Sequence, residues 1–166
     1  MFVRSQSRSH YRLSTIDYRL LAVVLFHLVT FTGFPVVVTA GEVTAGAARE
    51  WFTLPQGVPL AGYSRRHGEP STGAHDPVGV RALVVADAQT TVALVACDLL
   101  IVDERLADAV RRRLIAEGLP PDMVLVIAAT HTHSGPGGYG RKFLEKMSMG
   151  HFDPDVFEAI VHAIVR

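Results

Sequence analysis

The sequence predicts an α/β protein built on a mixed β-sheet, with a βαβ unit and flanking helices. Two β-branched runs, Val78–Ala86 and Thr91–Cys97, are separated by the short polar segment Asp87–Thr90, a pattern typical of a β-hairpin. A helical pattern over Asp103–Glu117 follows, and the apolar run Met123–Ala129 then has the length of a strand. Strand, helix and strand in succession predict a parallel strand pair next to the antiparallel hairpin.

Local signals define the elements around this unit. Val43–Phe52 is a mixed small and apolar stretch that predicts a first strand. Leu54–Thr72 is rich in Pro, Gly, Ser and Arg and predicts a long loop, and loops of that length are usually functional or disordered. The helix over Asp103–Glu117 has a capping residue at its start and apolar residues at helical spacing, which are Leu106, Val110 and Leu114.

Three further features concern burial and chain length. The continuous apolar run Met123–Ala129 is typical of a strand covered on both faces. Cys97, the single cysteine, lies in an apolar run, which favours a buried, inert thiol and excludes an internal disulfide. A last helix is predicted over Asp155–Arg166. Its pattern runs to the final residue without a stop signal, so we expect the sequence to be a fragment of a longer protein.

Charge argues against a nucleic-acid partner, because the chain has 16 basic and 16 acidic residues and nucleic-acid binding usually leaves a strong basic excess. The balance hides an asymmetry. Residues 1–40 hold four arginines and one aspartate, so 12 basic and 15 acidic residues remain for residues 41–166. The two regions are therefore interpreted separately.

Residues 1–40 have the organisation of a signal peptide or an N-terminal anchor. An arginine-rich start precedes the apolar run Leu20–Phe31, and Val38 and Ala40 form a plausible signal-peptidase site before Gly41. The apolar run alone is shorter than the ~20 residues that span a bilayer. If Phe34–Val38 joins it, an uncleaved anchor through residues 20–40 is also possible. We expect a secreted or periplasmic protein, membrane-anchored if residues 20–40 are retained.

The segment with most chemical information is the loop Thr130–Tyr139, of sequence THTHSGPGGY. It directly follows an apolar strand, and ligand sites of α/β sheets lie beyond the carboxyl ends of strands. While the backbone stays extended, His131 and His133 share one face and can aim two imidazoles at one point. Imidazole is a common ligand of Zn²⁺. The pattern therefore favours a metal or catalytic site, and two solvated histidines near a surface turn remain the alternative.

Two other zinc folds do not fit this loop. A metallo-β-lactamase-like site would follow the histidine pair with Asp and His, but Gly135 and Pro136 occupy those positions. An amidohydrolase barrel usually places the pair on its first strand, whereas several predicted elements precede it here.

The motif THTHSGPGGY resembles a highly specific stretch of the neutral, or alkaline non-lysosomal, ceramidases. Three other segments are similar to that family in order and spacing: Leu60–Tyr63 with its glycine-tyrosine pair, the strand Val78–Ala86 with Arg81, and Val95–Leu99 with Asp98. The resemblance runs from about Gly46 to the end of the chain. It implies an incomplete catalytic domain of the α/β class over residues 41–166.

The resemblance also implies an activity and a metal. Members of the family hydrolyse the amide bond of N-acylsphingosines, with one Zn²⁺ held by two histidines, a glutamate and a tyrosine. The first histidine of the motif is a ligand, which maps onto His131, and the second lies beside the scissile amide, which maps onto His133. We expect a lipid-like N-acyl substrate, and association with membrane surfaces is possible.

Further site residues are expected from the same mapping. Asp98 is the candidate acceptor for the second ring nitrogen of His131, with a role in structuring a loop or helix entry as the alternative. Gly62 and Tyr63 are expected to border the substrate groove, and a plain turn is the alternative. His75 is expected to be a loop residue or rim contact.

The serine nucleophile and the other zinc ligands of the family map beyond residue 166, in the C-terminal part of the same protein. The chain is therefore expected to be either the N-terminal fragment of a zinc-dependent amidase or a non-catalytic remnant or binding fragment with an incomplete zinc site.

Overall fold

Four β-strands form one mixed sheet in the computed structural model, which describes residues 41–166. They are β1 (Thr44–Trp51), β2 (Gly79–Ala86), β3 (Thr91–Cys97) and β4 (Val124–Ala129), and their spatial order is the chain order. The pairs β1–β2 and β2–β3 are antiparallel, whereas β3 and β4 are parallel. The predicted first strand, hairpin and mixed sheet are confirmed.

The hairpin turn between β2 and β3 is closed by Asp87. Its carboxylate accepts hydrogen bonds from the backbone N–H groups of Gln89 (2.8 Å) and Thr90 (2.7 Å). These bonds favour the ionised form and lower the pKa of Asp87 below its usual value. An Asx-type turn of this kind is the reason that four residues can connect two antiparallel strands.

Three helices accompany the sheet: α1 (Glu104–Ala116), α2 (Phe143–Met149) and α3 (Pro154–Val165). The predicted cap of α1 is confirmed, because Asp103 accepts a hydrogen bond from the backbone N–H of Leu106 at 2.9 Å. Helix α1 connects the parallel strands β3 and β4, which confirms the βαβ unit. Helix α2 was not predicted, since seven residues provide fewer than two turns of periodic pattern.

One face of the sheet, here called the covered face, packs against α1 and α3. Strand β3 contributes Ala93, Val95 and Cys97, which all point into this core. The helices contribute apolar residues that are almost fully buried: Leu106, Val110 and Leu114 from α1, and Val156, Ile160, Val161 and Ile164 from α3. Cys97 is fully buried and unpaired, as the sequence predicts.

The opposite side, here called the open face, carries apolar side chains that remain partly solvent-exposed. Leu83, Leu94 and Val126 are in register across β2, β3 and β4, and with Val124 they are 40–49% exposed. The prediction that β4 is covered on both faces is therefore wrong for the described part of the chain. Its apolar run has a packing partner on one side only, because α1 and α3 both lie on the covered face.

Residues 41–166 form a single compact unit. Within this range no helix is both long and apolar enough to cross a membrane. The predicted signal peptide or anchor in residues 1–40 lies outside the described residues.

Candidate functional site

The backbone turns sharply where β4 ends, and this turn places the first motif histidine. The N–H of Thr130 still donates to the carbonyl oxygen of Cys97 on β3, at 2.9 Å. The next residue, His131, has a φ of 59°, in the left-handed region that few residues other than glycine adopt. The two motif histidines therefore come together through a turn, and the expected alternation along an extended strand is wrong.

The ring of His131 is oriented by a backbone carbonyl. Its Nδ1 lies 2.8 Å from the carbonyl oxygen of Leu100, in the loop between β3 and α1. A carbonyl oxygen can only accept, so Nδ1 carries the ring proton and the lone pair is on Nε2. The side chain is exposed, and Nε2 is therefore the free electron-pair donor of this imidazole.

Tyr139, the last residue of the motif, holds the loop that supplies this carbonyl. Its hydroxyl donates to the carbonyl oxygen of Ile101 (3.0 Å) and accepts from the N–H of the same residue (3.1 Å). The carbonyl oxygen of Tyr139 accepts a further hydrogen bond from Arg105 on α1. Burial raises the pKa of Tyr139 to about 12, so the hydroxyl keeps its proton and its donor function at neutral pH.

His133 lies in a half-buried position between two other rings. Its ring centroid is 4.8 Å from that of Tyr63 and 5.0 Å from that of His131, with edge-to-face angles of 72° and 70°. Its Nδ1 is buried and has no hydrogen-bond partner within residues 41–166. A buried polar atom without a partner is costly in a stable fold and is often found at a functional site.

Gly62 forms the floor under the ring of His133. Its φ is 104°, and a Cβ at this position would lie 2.5 Å from Cγ of His133. Glycine is therefore required both by backbone conformation and by the close approach of the imidazole. The glycine-tyrosine pair contacts the His133 ring, with Gly62 on one side and Tyr63 on another.

Backbone hydrogen bonds join the glycine-tyrosine loop to the motif loop. The N–H of Ala61 donates to the carbonyl oxygen of Gly135 (3.1 Å), and the N–H of Gly137 donates to that of Pro59 (2.6 Å). A Cβ on Gly137 would lie only 2.1 Å from the carbonyl oxygen of Met149, so the close approach of these two residues also requires glycine. The glycine-tyrosine loop and the motif loop, which are far apart in sequence, are thus joined by backbone hydrogen bonds.

Arg66 strengthens this junction and was not recognised from the sequence. Its guanidinium donates to the carbonyl oxygens of His133 (2.7 Å) and Ala61 (3.1 Å) and lies 4.7 Å from the centroid of the Tyr63 ring. The arginine occurs in a loop rich in charge and glycine, where no periodic pattern distinguishes it from its neighbour Arg65. Only the folded chain shows that it contacts both loops.

The expected role of Asp98 as acceptor for His131 is wrong in this structure, because the carbonyl of Leu100 takes that place. The Asp98 carboxylate instead forms an ion pair with Arg81 at 3.2 Å and accepts the backbone N–H of Gly79 at 3.2 Å. It therefore ties the end of β3 to the start of β2, which is a structural role between two strands.

The two motif histidines are neighbours, but the described residues do not form a complete metal-binding group. Within residues 41–166 no group of three or more His, Cys, Asp or Glu side chains is placed to hold a metal ion. His131 offers a neutral imidazole nitrogen, and the neighbouring His133 ring lies beside it. His75 is outside this cluster, exposed and bonded only to Asp76 at 2.9 Å. The geometry is that of two neighbouring imidazoles, of which His131 has its Nδ1 bonded to a backbone carbonyl.

Comparison with known proteins places these features in a family. The family model described as neutral/alkaline non-lysosomal ceramidase, N-terminal, matches residues 45–166. The chain is similar to the neutral ceramidase of Pseudomonas aeruginosa, at 34% identity over 113 residues that cover 66% of this chain and 17% of the relative. It is also similar to the neutral ceramidase of Mycobacterium tuberculosis, at 30% identity, covering 64% of this chain and 18% of the relative.

Solved structures agree with the sequence comparison. The crystal structure of the Pseudomonas aeruginosa neutral ceramidase superimposes with a TM-score of 0.67 and 30% identity, covering 76% of this chain and 21% of that one. A ceramidase complexed with C2 gives a TM-score of 0.65, also at 30% identity, with 76% and 20% covered. The chain thus spans about a fifth of the length of these relatives. On the matched residues, the mixed sheet and the motif loop, this chain belongs to the neutral/alkaline non-lysosomal ceramidase family and corresponds to its N-terminal region.

Proposed function

We propose that this chain is the N-terminal part of a zinc-dependent amidase that hydrolyses the amide bond of ceramide or a related N-acyl lipid. The observation that carries the proposal is the pair of motif histidines. One has its Nδ1 bonded to the Leu100 carbonyl and its Nε2 free, and the other lies 5.0 Å away, ring to ring. Family membership and the names of the relatives support the same chemistry.

His131 fits a zinc ligand because its tautomer is set by the protein. Histidines that bind metal usually donate the other ring N–H to a carbonyl or carboxylate, which raises the basicity of the ligating nitrogen. The Leu100 carbonyl supplies this interaction. Tyr139 holds the next residue, Ile101, by accepting from its N–H and donating to its C=O. Zn²⁺, when bound, polarises the amide carbonyl as a Lewis acid.

His133 fits a residue that acts on the amide. Its ring lies next to those of His131 and Tyr63 and directly over Gly62. Arg66 holds its backbone by donating to the carbonyl oxygen. A neutral histidine in this place can donate a hydrogen bond to a developing charge or pass a proton to the leaving nitrogen, and proton transfer of this kind is worth roughly 10²–10⁴-fold in rate. Gly62 and Tyr63 then border the groove for the lipid substrate.

Zinc sites of hydrolytic enzymes commonly have three protein ligands. We propose that the remaining ligands and the nucleophilic serine come from sequence beyond residue 166. The alternative is a non-catalytic remnant or binding fragment with an incomplete zinc site. It is supported by the observation that residues 41–166 contain no group of three or more side chains placed to hold a metal ion. The two proposals predict different activities once the remaining ligands and the serine are supplied.

A hybrid enzyme tests both proposals. Residues 41–166 replace the matched segment of the Pseudomonas aeruginosa neutral ceramidase, and zinc content and ceramide hydrolysis are measured. We expect hydrolysis that chelators abolish, whereas the chain of 166 residues alone should not turn over ceramide. A hybrid that folds and binds zinc but does not hydrolyse ceramide would favour the remnant.

Two substitutions in the hybrid separate the histidines. His131→Ala should lose both zinc and activity, whereas His133→Ala should lose activity, by roughly 10²-fold or more, and keep most of its zinc. His75→Ala is the matched control, since this exposed side chain is bonded only to its neighbour Asp76. Equal zinc loss in the His131 and His133 variants would mean that both imidazoles are ligands.

Residues 1–40 are proposed to direct export, with cleavage after Ala40. The arginine-rich start, the apolar run and the small residues before Gly41 support this. N-terminal sequencing of the protein recovered from the medium or periplasm should begin near Gly41. A soluble cytoplasmic protein that starts at Met1 would contradict export, and a membrane-bound one that starts at Met1 would identify an anchor.

A further inference from the structure

The peptide group between Leu100 and Ile101 connects two side chains of the motif. Its carbonyl oxygen lies 2.8 Å from Nδ1 of His131, and its N–H donates to the hydroxyl oxygen of Tyr139 at 3.1 Å. The C=O and the N–H of a trans peptide point in opposite directions in one rigid plane, so a contact at one end affects the other. Within residues 41–166 this peptide group has no other hydrogen-bond partner. The orientation of the carbonyl that faces His131 is therefore controlled by Tyr139.

The loop around this peptide group has no regular backbone bonding of its own. It lies between the end of β3 at Cys97 and the start of α1 at Glu104, so neither a strand ladder nor a helix fixes its peptide planes. The side chains of Leu99 and Leu100 are buried and hold the loop against the core. Burial of these side chains still leaves the peptide plane free to rotate, and the hydrogen bonds at its two ends decide which way it points.

The position of Tyr139 is set by the core. Its ring is 1% exposed, and its own carbonyl oxygen accepts a hydrogen bond from Arg105. The guanidinium of Arg105 in turn lies over the ring of Phe157, 4.4 Å from the centroid. The Tyr139 hydroxyl donates its proton to the carbonyl oxygen of Ile101 at 3.0 Å. Both functions of the hydroxyl are thus used on the loop, and Tyr139 can influence the site only through that loop.

Hydrogen bonds in such a chain polarise one another. When the peptide N–H is bonded, the C=O of the same group becomes a stronger acceptor. A stronger acceptor at Nδ1 makes the opposite nitrogen of an imidazole more basic and fixes the tautomer. His131 depends on outside contacts for a second reason, because its φ of 59° is a backbone conformation that persists only where the surrounding structure holds it.

From this geometry we propose that Tyr139 is the positioning residue of His131. Acting through the Leu100–Ile101 peptide group, its hydroxyl keeps the ring proton on Nδ1 and leaves Nε2 as a strong and correctly aimed electron-pair donor. The inference rests on the proposed function in one respect, since Zn²⁺ is the expected partner of Nε2. A peptide group and a buried tyrosine together then do what was expected of Asp98.

Nuclear magnetic resonance of the metal-free, 166-residue chain tests this directly. Histidine rings are labelled with ¹⁵N, and two-bond ¹⁵N–¹H correlation spectra at pH 8, where imidazoles are neutral, show which nitrogen carries the proton. The signals of His131 are identified by their loss in His131→Asn. Tyr139→Phe removes the hydroxyl and keeps the buried ring. Val110→Ala is the matched control, because it truncates a fully buried side chain of α1 that makes none of these hydrogen bonds.

We expect the His131 proton on Nδ1 in the unsubstituted chain and in Val110→Ala, and an exchanging mixture of both tautomers in Tyr139→Phe. The hybrid enzyme described above shows the consequence for the metal. There Tyr139→Phe should weaken zinc binding by about 10–100-fold, the usual effect of losing a contact that orients a ligand, as measured by competition with a chelator. Activity at saturating zinc should largely recover, since Tyr139 does not touch the substrate. Val110→Ala should leave the zinc affinity unchanged.

Four outcomes would overturn the proposal. A proton on Nε2 of His131 in the unsubstituted chain would exclude it whatever the variants show. An Nδ1 proton that persists in Tyr139→Phe, or an equal loss in Val110→Ala, would reduce Tyr139 to a contributor to fold stability. A changed tautomer with unchanged zinc affinity would remove the effect on the metal. A hybrid that binds no zinc in any form would defeat the proposed function instead, and the metal-free spectra would still decide whether Tyr139 sets the tautomer of His131.

Discussion

The two faces of the sheet have similar compositions but different environments. Along β3, Ala93, Val95 and Cys97 are buried under α1 and α3, whereas Leu94, between them, is 43% exposed. The same alternation occurs in β4, where Leu125 and Ile127 pack against the core and Val124 and Val126 do not. Apolar residues on both sides of a strand therefore do not show which side is packed. The position of the helices decides this.

The difference also has chemical consequences. Burial on the covered face, together with the nearby charge of Asp98, raises the pKa of Cys97 to about 12. Side chains on the open face project toward solvent, where burial does not raise a pKa in this way. The first two predictions that follow use matched pairs of residues, one from each face, to test whether the contrast holds in solution. The third concerns an ion pair outside both faces.

The largest effect is expected in thiol reactivity. In an Ala128→Cys variant, the new thiol lies on the open face and Cys97 lies on the covered face of the neighbouring strand. At pH 8 a thiol with a pKa of about 12 has roughly a thousandfold less thiolate than one with the usual value near 8.5, and only the thiolate reacts. Alkylation at pH 8, followed by peptide mapping, should label Cys97 at least about a thousandfold more slowly.

Denaturant provides the control for this measurement. Both thiols should react at similar rates once the chain is unfolded, because the raised pKa belongs to the folded environment. Comparable rates in the native protein would mean that the covered face opens readily or that the open face is itself covered.

A smaller effect is expected from side-chain truncation. Leu106→Ala removes a fully buried side chain from the core under the covered face and should lower the free energy of unfolding by about 2–5 kcal/mol. Leu94→Ala on the open face should lower it by about 1 kcal/mol or less, because almost half of that side chain is already in water. Urea unfolding of the two variants beside the unsubstituted chain measures both. A similar loss for both would show that the open face is packed in solution.

The smallest effect is expected from breaking an ion pair that joins α1 and α3, outside both faces of the sheet. Arg113 and Glu158 approach to 3.1 Å, but their side chains are 46% and 61% exposed. Solvent screens such pairs, so Glu158→Gln should change the free energy of unfolding by less than about 1 kcal/mol. The same urea experiment measures it, with high salt as the control condition. A larger loss would mean that this pair, and not only the apolar core, holds the helix layer together.

Local sequence determined the elements of the fold. Two β-branched runs separated by a four-residue, mostly polar connection are typical of a hairpin. Asp87 and Asp103 lie where a turn and a helix cap need a short acceptor side chain. The buried periodicity of α1 and the motif around His131 and His133 are equally local. The fold class and the family could be recognised for this reason.

Only the tertiary structure decided which groups meet at the site. Arg66, the Leu100 carbonyl and the Ser148 carbonyl all contact the motif loop or its floor from distant parts of the chain. Asp98 has the right chemistry and a suggestive position, but its carboxylate is already engaged by Arg81 and Gly79. Helix α2 was missed because its seven residues provide fewer than two turns of periodic pattern. A sequence pattern indicates which residues of one segment are buried, whereas contacts between loops depend on how the whole chain folds.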